Sequence, residues 1–213
     1  MKFPFTPEAF FQVFAEYNFA VWPAQLVLTA LALACFALTA TVTLKTTRPL
    51  LLCLAFLWLW MGGVYHLGFF QKINAAATLF GAVFILQALL FLYWGWKRSA
   101  VLLSAGSLQK WTAIVIVAYA LAGYPVLGFL LGHVFPKAPT FGVPCPTTIF
   151  TFGLLLLIKE RFPWYVVIIP VLWSLIGFTA ATSLSVPEDY SLFFAGIAFV
   201  MFYTRTQKEV PAS

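Results

Sequence analysis

The sequence predicts an all-α fold, a polytopic integral membrane bundle of seven transmembrane helices with the N-terminus outside and the C-terminus in the cytoplasm. Three observations predict it. The chain is 63% hydrophobic and only 8% charged, where a soluble domain carries about 25% charged residues. Its apolar residues fall into seven stretches separated by charged punctuation. The basic residues gather at one end of each stretch. Lys45, Arg48, Lys97, Arg98, Lys110, Lys159, Arg161, Arg205 and Lys208 fall after spans one, three, five and seven, while Lys2, Lys72 and Lys137 fall on the other side. Nine cations against three assign the first side to the cytoplasm. A net charge of +6 distributed this way is a topology signal and excludes a nucleic-acid-binding face. The expected partner is the lipid bilayer, and the oligomeric state is left open.

Residues 1–20 are expected to form an N-terminal amphipathic helix at the membrane surface. Thr6-Pro7-Glu8 reads as a helix start, with a hydroxyl cap, a proline in the first turn and an acid near the positive end of the dipole. Phe10, Phe14 and Tyr17 then recur at helical spacing, opposite Glu8, Gln12 and Glu16. This helix lies on the surface or serves as a lid over an outer pocket. One early lysine followed by two acids and no small-residue cleavage site does not make a signal peptide.

Residues 21–204 carry the seven spans, and residues 205–213 are expected as a cytoplasmic tail. The first span is Val21 to Leu44. The second is Pro49 to Phe70, in which Gly62 and Gly63 would let a neighbouring helix approach closely. Asn74 occupies a cap position before the third span, which reaches Trp96 and holds Gln87 at mid-depth. Gln87 and Gln25 are expected to hydrogen-bond between helices. The fourth span, Trp111 to Phe135, should kink at Pro125. The fifth, Thr147 to Ile158, is short. Twelve residues give about 18 Å of helix, whereas a bilayer core is about 30 Å thick. The proline-rich run before it, GHVFPKAPTFGVPCPTTIFTFG from Gly132, is therefore expected to dip into the membrane, where irregular backbone needs protein or a water-filled cavity around it. Trp164 to Leu184 is the sixth span, and Tyr190 to Thr204 the seventh.

Polar chemistry collects at the outer ends. His66 ends span two, beside Tyr65, and His133 ends span four. Topology puts Asn74, Cys145, Thr147, Thr148, Glu188 and Asp189 on the same side. With Pro146 in a first turn, Cys145 reads as the helix cap, where unpaired N–H groups favour a thiolate. The helix start at Thr147 has an anion-binding geometry. His66, His133 and Cys145 are also a candidate ligand set for a metal or haem, since imidazole and thiolate suit zinc, copper or iron. Cys35 and Cys53 read as small hydrophobes inside apolar runs.

The segments FTPEAFFQVFAEYNFAVWPAQ, YHLGFFQKINAAATLFGAVFILQA and GHVFPKAPTFGVPCPTTIFTFG resemble the bacterial multi-pass membrane proteins grouped as domain of unknown function 6064. The resemblance covers nearly the whole chain and implies the bacterial inner membrane, but brings no activity with it. The plan of seven spans with outward histidines also resembles membrane ceramidase-like hydrolases in architecture alone, since two histidines are fewer than those enzymes require. The functional expectation is an outward-facing polar pocket that binds or transports a small ligand or ion. A metal- or thiol-dependent redox enzyme and a structural subunit of a membrane complex are the alternatives.

Overall fold

The computed structural model describes residues 4–41, 47–97, 101–102, 108–159 and 162–209. The chain order begins with α1 (Pro7–Ala20), α2 (Ala24–Thr41), α3 (Arg48–Trp60) and α4 (Ala77–Lys97). It continues with β1 (Val101–Leu102), α5 (Leu108–Ala118), α6 (Tyr124–Leu130), α7 (Pro144–Leu156), β2 (Ile158–Lys159), α8 (Trp164–Leu184) and α9 (Tyr190–Glu209). Several junctions are helical without being α. Met61–Phe69 is a π-helical stretch that prolongs α3 and leads into a 3-10 turn, Phe70–Lys72. Tyr119–Gly123 is a π-helical stretch between α5 and α6. It lies immediately before Pro125, so the wider turn absorbs the backbone bond that the proline cannot make.

Among the described residues, four helical runs are long and apolar enough to cross a membrane: Arg48–Lys72, Ala77–Lys97, Leu108–Leu130 and Trp164–Leu184. α1 and α2 meet at a bend of 85° and together make a fifth candidate. The sequence places the helices well but misses several ends. The first span begins at Ala24, after a turn, and its expected end at Leu44 lies outside the described residues. The fourth stops at Leu130, five residues early, because Gly132 adopts φ +89° and folds the chain back, with His133 N–H donating to Gly128 C=O at 2.9 Å. This is a left-handed glycine closing a helix. α9 runs on to Glu209 instead of stopping at Thr204. β1 and β2 pair antiparallel over two residues each, a short clip that an all-helical reading does not foresee.

α7 is the axis of the bundle. It is only 13 residues long, and every side chain from Pro144 to Leu156 is buried except Cys145. It packs against α3, α5, α8 and α9. Phe150, Phe152, Leu154 and Ile149 fill the centre with Trp58, Leu54 and Val117 around them. A helix surrounded by protein along its length does not have to match the bilayer thickness. Gly153 brings α5 close, since a Cβ there would lie 2.5 Å from Val117 Cγ2 and 3.1 Å from the Ala113 carbonyl oxygen. Gly62 does the same between the π-helical stretch and α4, with Gly81 O at 2.8 Å, while its neighbour Gly63 faces open space. Gln87 Nε2 donates to Val166 O at 2.9 Å, joining α4 to α8 as expected.

Large apolar side chains are exposed on the outside of the bundle, among them Leu26, Phe56, Leu79, Val115, Leu130 and Phe194. An exposed belt of this extent marks a surface made to meet lipid or another protein.

A candidate ligand cavity

The loop between α6 and α7 is tied down by one residue. Asn18, fully buried on α1, donates through Nδ2 to Pro136 O at 2.6 Å and Ala138 O at 2.8 Å. Its Oδ1 accepts from Thr140 Oγ1 at 2.7 Å, and Gln25 Nε2 donates to its backbone oxygen at 2.8 Å. Every main-chain polar group so paired is one that irregular backbone would otherwise leave unsatisfied. The loop ends at Gly142, with φ +103°, whose N–H donates to Thr147 Oγ1 at 3.0 Å.

The helix that follows starts earlier than expected. Val143 is the extended cap residue, Pro144 opens α7, and Cys145 is the second helical residue, not the cap. Prolines need no N–H partner in a first turn, which lets Pro144 and Pro146 both fit there. They also remove two of the free donors that make a helix start attractive to anions. Thr147 N–H is directed to Val143 O at 3.4 Å, so Cys145 carries the remaining N–H of the turn.

Beside this start lies a cavity of about 520 Å³. Its walls are largely aromatic: Phe10 and Phe14 from α1, Phe70, Phe80 from α4, and Trp173 from α8. Tyr65, His66, Asn74, Tyr124, Cys145 and Asp189 supply the polar groups. α1 therefore acts as the cover, and Thr6 caps it by accepting from Ala9 N–H at 3.2 Å.

His66 is fully buried in this wall. Its ring centroid lies 4.7 Å from that of Phe84, 5.4 Å from Trp173 and 5.8 Å from Phe80, each in an edge-on arrangement. Neither ring nitrogen has a hydrogen-bond partner among the described residues. Buried polar atoms are nearly always paired, so an imidazole with two unpaired nitrogens behind a cavity wall stands out. Asn74 is spoken for, because its Oδ1 accepts from Ala76 N–H at 3.1 Å ahead of α4.

Asp189 and Glu188 sit in a 3-10 turn between α8 and α9 (Pro187–Asp189), and both are buried. Tyr124 Oη donates to Asp189 Oδ1 at 2.5 Å, and the Cys145 thiol lies near this carboxyl. Burial pushes the Asp189 carboxyl up to about 7; Tyr124 and Cys145 beside it oppose that rise, and the neighbouring Glu188 adds to it. Glu188 turns the other way. Its Oε1 lies 2.6 Å from His133 Nδ1, in space left by Gly128, where a Cβ would stand 3.3 Å from that oxygen. The His133 ring packs on Phe11 at 4.7 Å and lines an outer cleft of about 570 Å³ with Pro7, Phe11 and Lys137.

The expected site residues thus divide. Tyr65, His66, Asn74, Cys145 and Asp189 line one cavity. His133 pairs with Glu188 at its back, facing the outer cleft. Thr147 and Thr148 lie buried inside the helix start, outside the lining. The two histidines occupy different surroundings. Among the described residues, no group of three or more His, Cys, Asp or Glu side chains is placed to hold a metal ion. Tyr124 and Trp173 are the site residues that sequence reasoning passes over. The signal for Trp173 is its position, a tryptophan in the middle of an apolar run and not at an interface.

Fold and site together define a class: a bundle of apolar helices compatible with a membrane, enclosing an aromatic cavity with a histidine and a buried acid in its wall. The chain belongs to the Family of unknown function (DUF6064), which matches residues 7–211. No curated protein and no solved structure matches it.

Proposed function

We infer that this protein is a multi-pass protein of the bacterial inner membrane that binds, and passes on, a small and largely apolar molecule carrying one hydrogen-bonding group. The observation that carries the reading is the cavity itself, lined by aromatic side chains and by His66, which is buried with both nitrogens unpaired among the described residues. Aromatic walls with a few converging polar groups are the usual make-up of a small-molecule site. They suit a ring- or chain-containing ligand better than a bare ion, whose desolvation such walls would not repay. Seven spans with the N-terminus outside fit the charge distribution. Trp96, Trp111 and Trp164 are 72%, 62% and 68% exposed, all near the cationic ends of their helices, as an interfacial aromatic belt requires.

The test uses a neutral ring probe, 2,3-dimethyl-1,4-naphthoquinone, whose blocked ring positions prevent addition of a thiol. With the protein in lipid nanodiscs, the probe should quench tryptophan fluorescence saturably. The saturable part should disappear in Trp173→Phe and weaken about tenfold in His66→Phe, the loss of one buried hydrogen bond. Quenching that rises without saturation, identical in all three proteins, would mean partition into lipid and would remove the reading.

A further inference from the structure

The aromatic cavity has a mouth on the side of the bundle. Ala76, just before α4, and Leu175, Ile176 and Thr179 of α8 line it, and all four are exposed. Residues that line a cavity and also reach the surface mark where the two meet. Leu175 and Ile176 are 48% and 40% exposed and continue the apolar face that Leu172 presents one turn earlier. Leu79 of α4 is 64% exposed next to Ala76 and Phe80. Deeper in, the two helices are held together, with Phe80 and Trp173 at 5.4 Å between ring centroids and Gln87 bonded to the Val166 carbonyl. Both are long and apolar enough to cross a membrane. Ile176 stands about 12 Å along the axis from Leu184, the end of α8. With α8 spanning a bilayer core about 30 Å thick, the mouth faces hydrocarbon and not water.

The lining also specifies a head group. Both ring nitrogens of His66 and Nε1 of Trp173 are buried without a partner among the described residues. The two rings lie 5.4 Å apart between centroids, and both line the cavity. An indole N–H only donates, and a neutral imidazole donates through one nitrogen. Two donors this close are matched by one oxygen with two lone pairs, as a carbonyl has. Asp189 is the one acid in the lining, and no Lys or Arg joins it among the described residues. A carboxylate or phosphate head would be buried beside an acid with no cation to pair it. The aromatic side chains around His66 suit a flat ring. We propose that the occupant is an uncharged lipid with a carbonyl-bearing ring as its head and a long hydrocarbon tail. The ring sits beneath α1 with its oxygen against His66 and Trp173, and the tail leaves through the mouth between α4 and α8 into the bilayer.

The proposal rests on the function inferred above, and the experiment separates the two. Full-length protein in lipid nanodiscs receives two probes at equal mole fraction of the lipid. One is 2,3-dimethyl-1,4-naphthoquinone; the other is the same ring with one methyl group replaced by a geranylgeranyl tail. Saturable quenching of tryptophan fluorescence reads both. A tail that stays in surroundings as apolar as lipid adds little to binding, so in wild type the two affinities should agree within about threefold. Ala76→Phe and Thr179→Phe crowd the mouth from its two sides with an apolar group that an exposed position tolerates. Each should weaken the tailed probe about tenfold and leave the tailless one unchanged. The tailed naphthalene that lacks both carbonyl oxygens should compete about tenfold less well than the tailed quinone. A tailless probe that saturates beside a tailed probe that does not would show a cavity closed to the bilayer; the inferred function then stands and this proposal falls. Substitutions that affect both probes alike overturn it as well, and a naphthalene that competes as well as the quinone overturns the carbonyl-bearing head. Saturation by neither probe removes the function itself, and the proposal with it. The wild-type comparison of the two probes decides even where a variant fails to fold.

Discussion

At the scale of single residues, the structure turns on a few polar side chains whose neighbours leave them little choice. Asn18 supplies both donors to the Pro136 and Ala138 carbonyls. Asn18→Asp keeps its shape but removes those donors and points a carboxylate at two oxygens. We expect a loss of about 2–4 kcal/mol, read as a lower melting temperature in detergent. Gly142, at φ +103° and with Tyr17 Oη 3.1 Å from where a Cβ would stand, should lose about 1–3 kcal/mol on substitution by alanine. Asp189 makes a prediction about pH. Its carboxyl is held above its value in the unfolded chain, to about 7. The folded protein therefore binds more protons than the unfolded one between about pH 4 and 7. The stability associated with this group is complete below pH 4 and is lost as pH rises through 7. Melting temperatures of wild type and Asp189→Asn should converge in acid and diverge as the pH is raised, with wild type falling relative to the variant. A constant difference between the two would count against this assignment.

At the scale of elements, α7 sets the terms for its neighbours. Gly153→Ala would force a methyl group against Val117 and the Ala113 carbonyl, and should cost about 1–3 kcal/mol. Gly63→Ala has nothing within 4 Å to meet, and should be neutral or slightly stabilising. The comparison checks that α5 and α7 meet through the absent side chain and not through a general intolerance of the bundle. These elements also indicate what a sequence can disclose. The sixth helix is closely legible, because Pro163 precedes a long apolar run and the run gives way at Ser185 to polar residues and Pro187. The short fifth helix and the irregular, proline-rich loop before it are legible from proline chemistry and the length of a bilayer. Gly62 and Gly63 are not distinguishable in sequence, and only one of them touches another backbone. The end of α6 is hidden for a similar reason: Gly132 could continue an apolar helix or reverse it, and the bond from His133 to Gly128 decides. The site is partly legible. Buried acids and histidines in an apolar chain attract attention wherever they fall. Which of them face one another is a matter of tertiary packing, so the pairing of His133 with Glu188 and the isolation of His66 could not be read from spacing.

At the scale of the whole molecule, the apolar belt, the tryptophans near the cationic ends and the nine-to-three distribution of basic residues all bear on orientation. The proposed topology predicts that a fluorescent protein fused after Ser213 will mature and fluoresce, and that alkaline phosphatase at the same place will be inactive. The reverse pattern would invert the molecule and turn the cavity toward the cytoplasm. α1 joins several parts of the site. It roofs the cavity with Phe10 and Phe14, holds the α6–α7 loop through Asn18, and lays Phe11 against His133. Such a roof cannot be lifted alone. Raising α1 far enough to admit a guest would drag the loop with it and strip Phe11 from the imidazole, loosening the latch between His133 and Glu188. The roof and the His133–Glu188 pair would then be one moving part, so a guest could enter only while that pair is open.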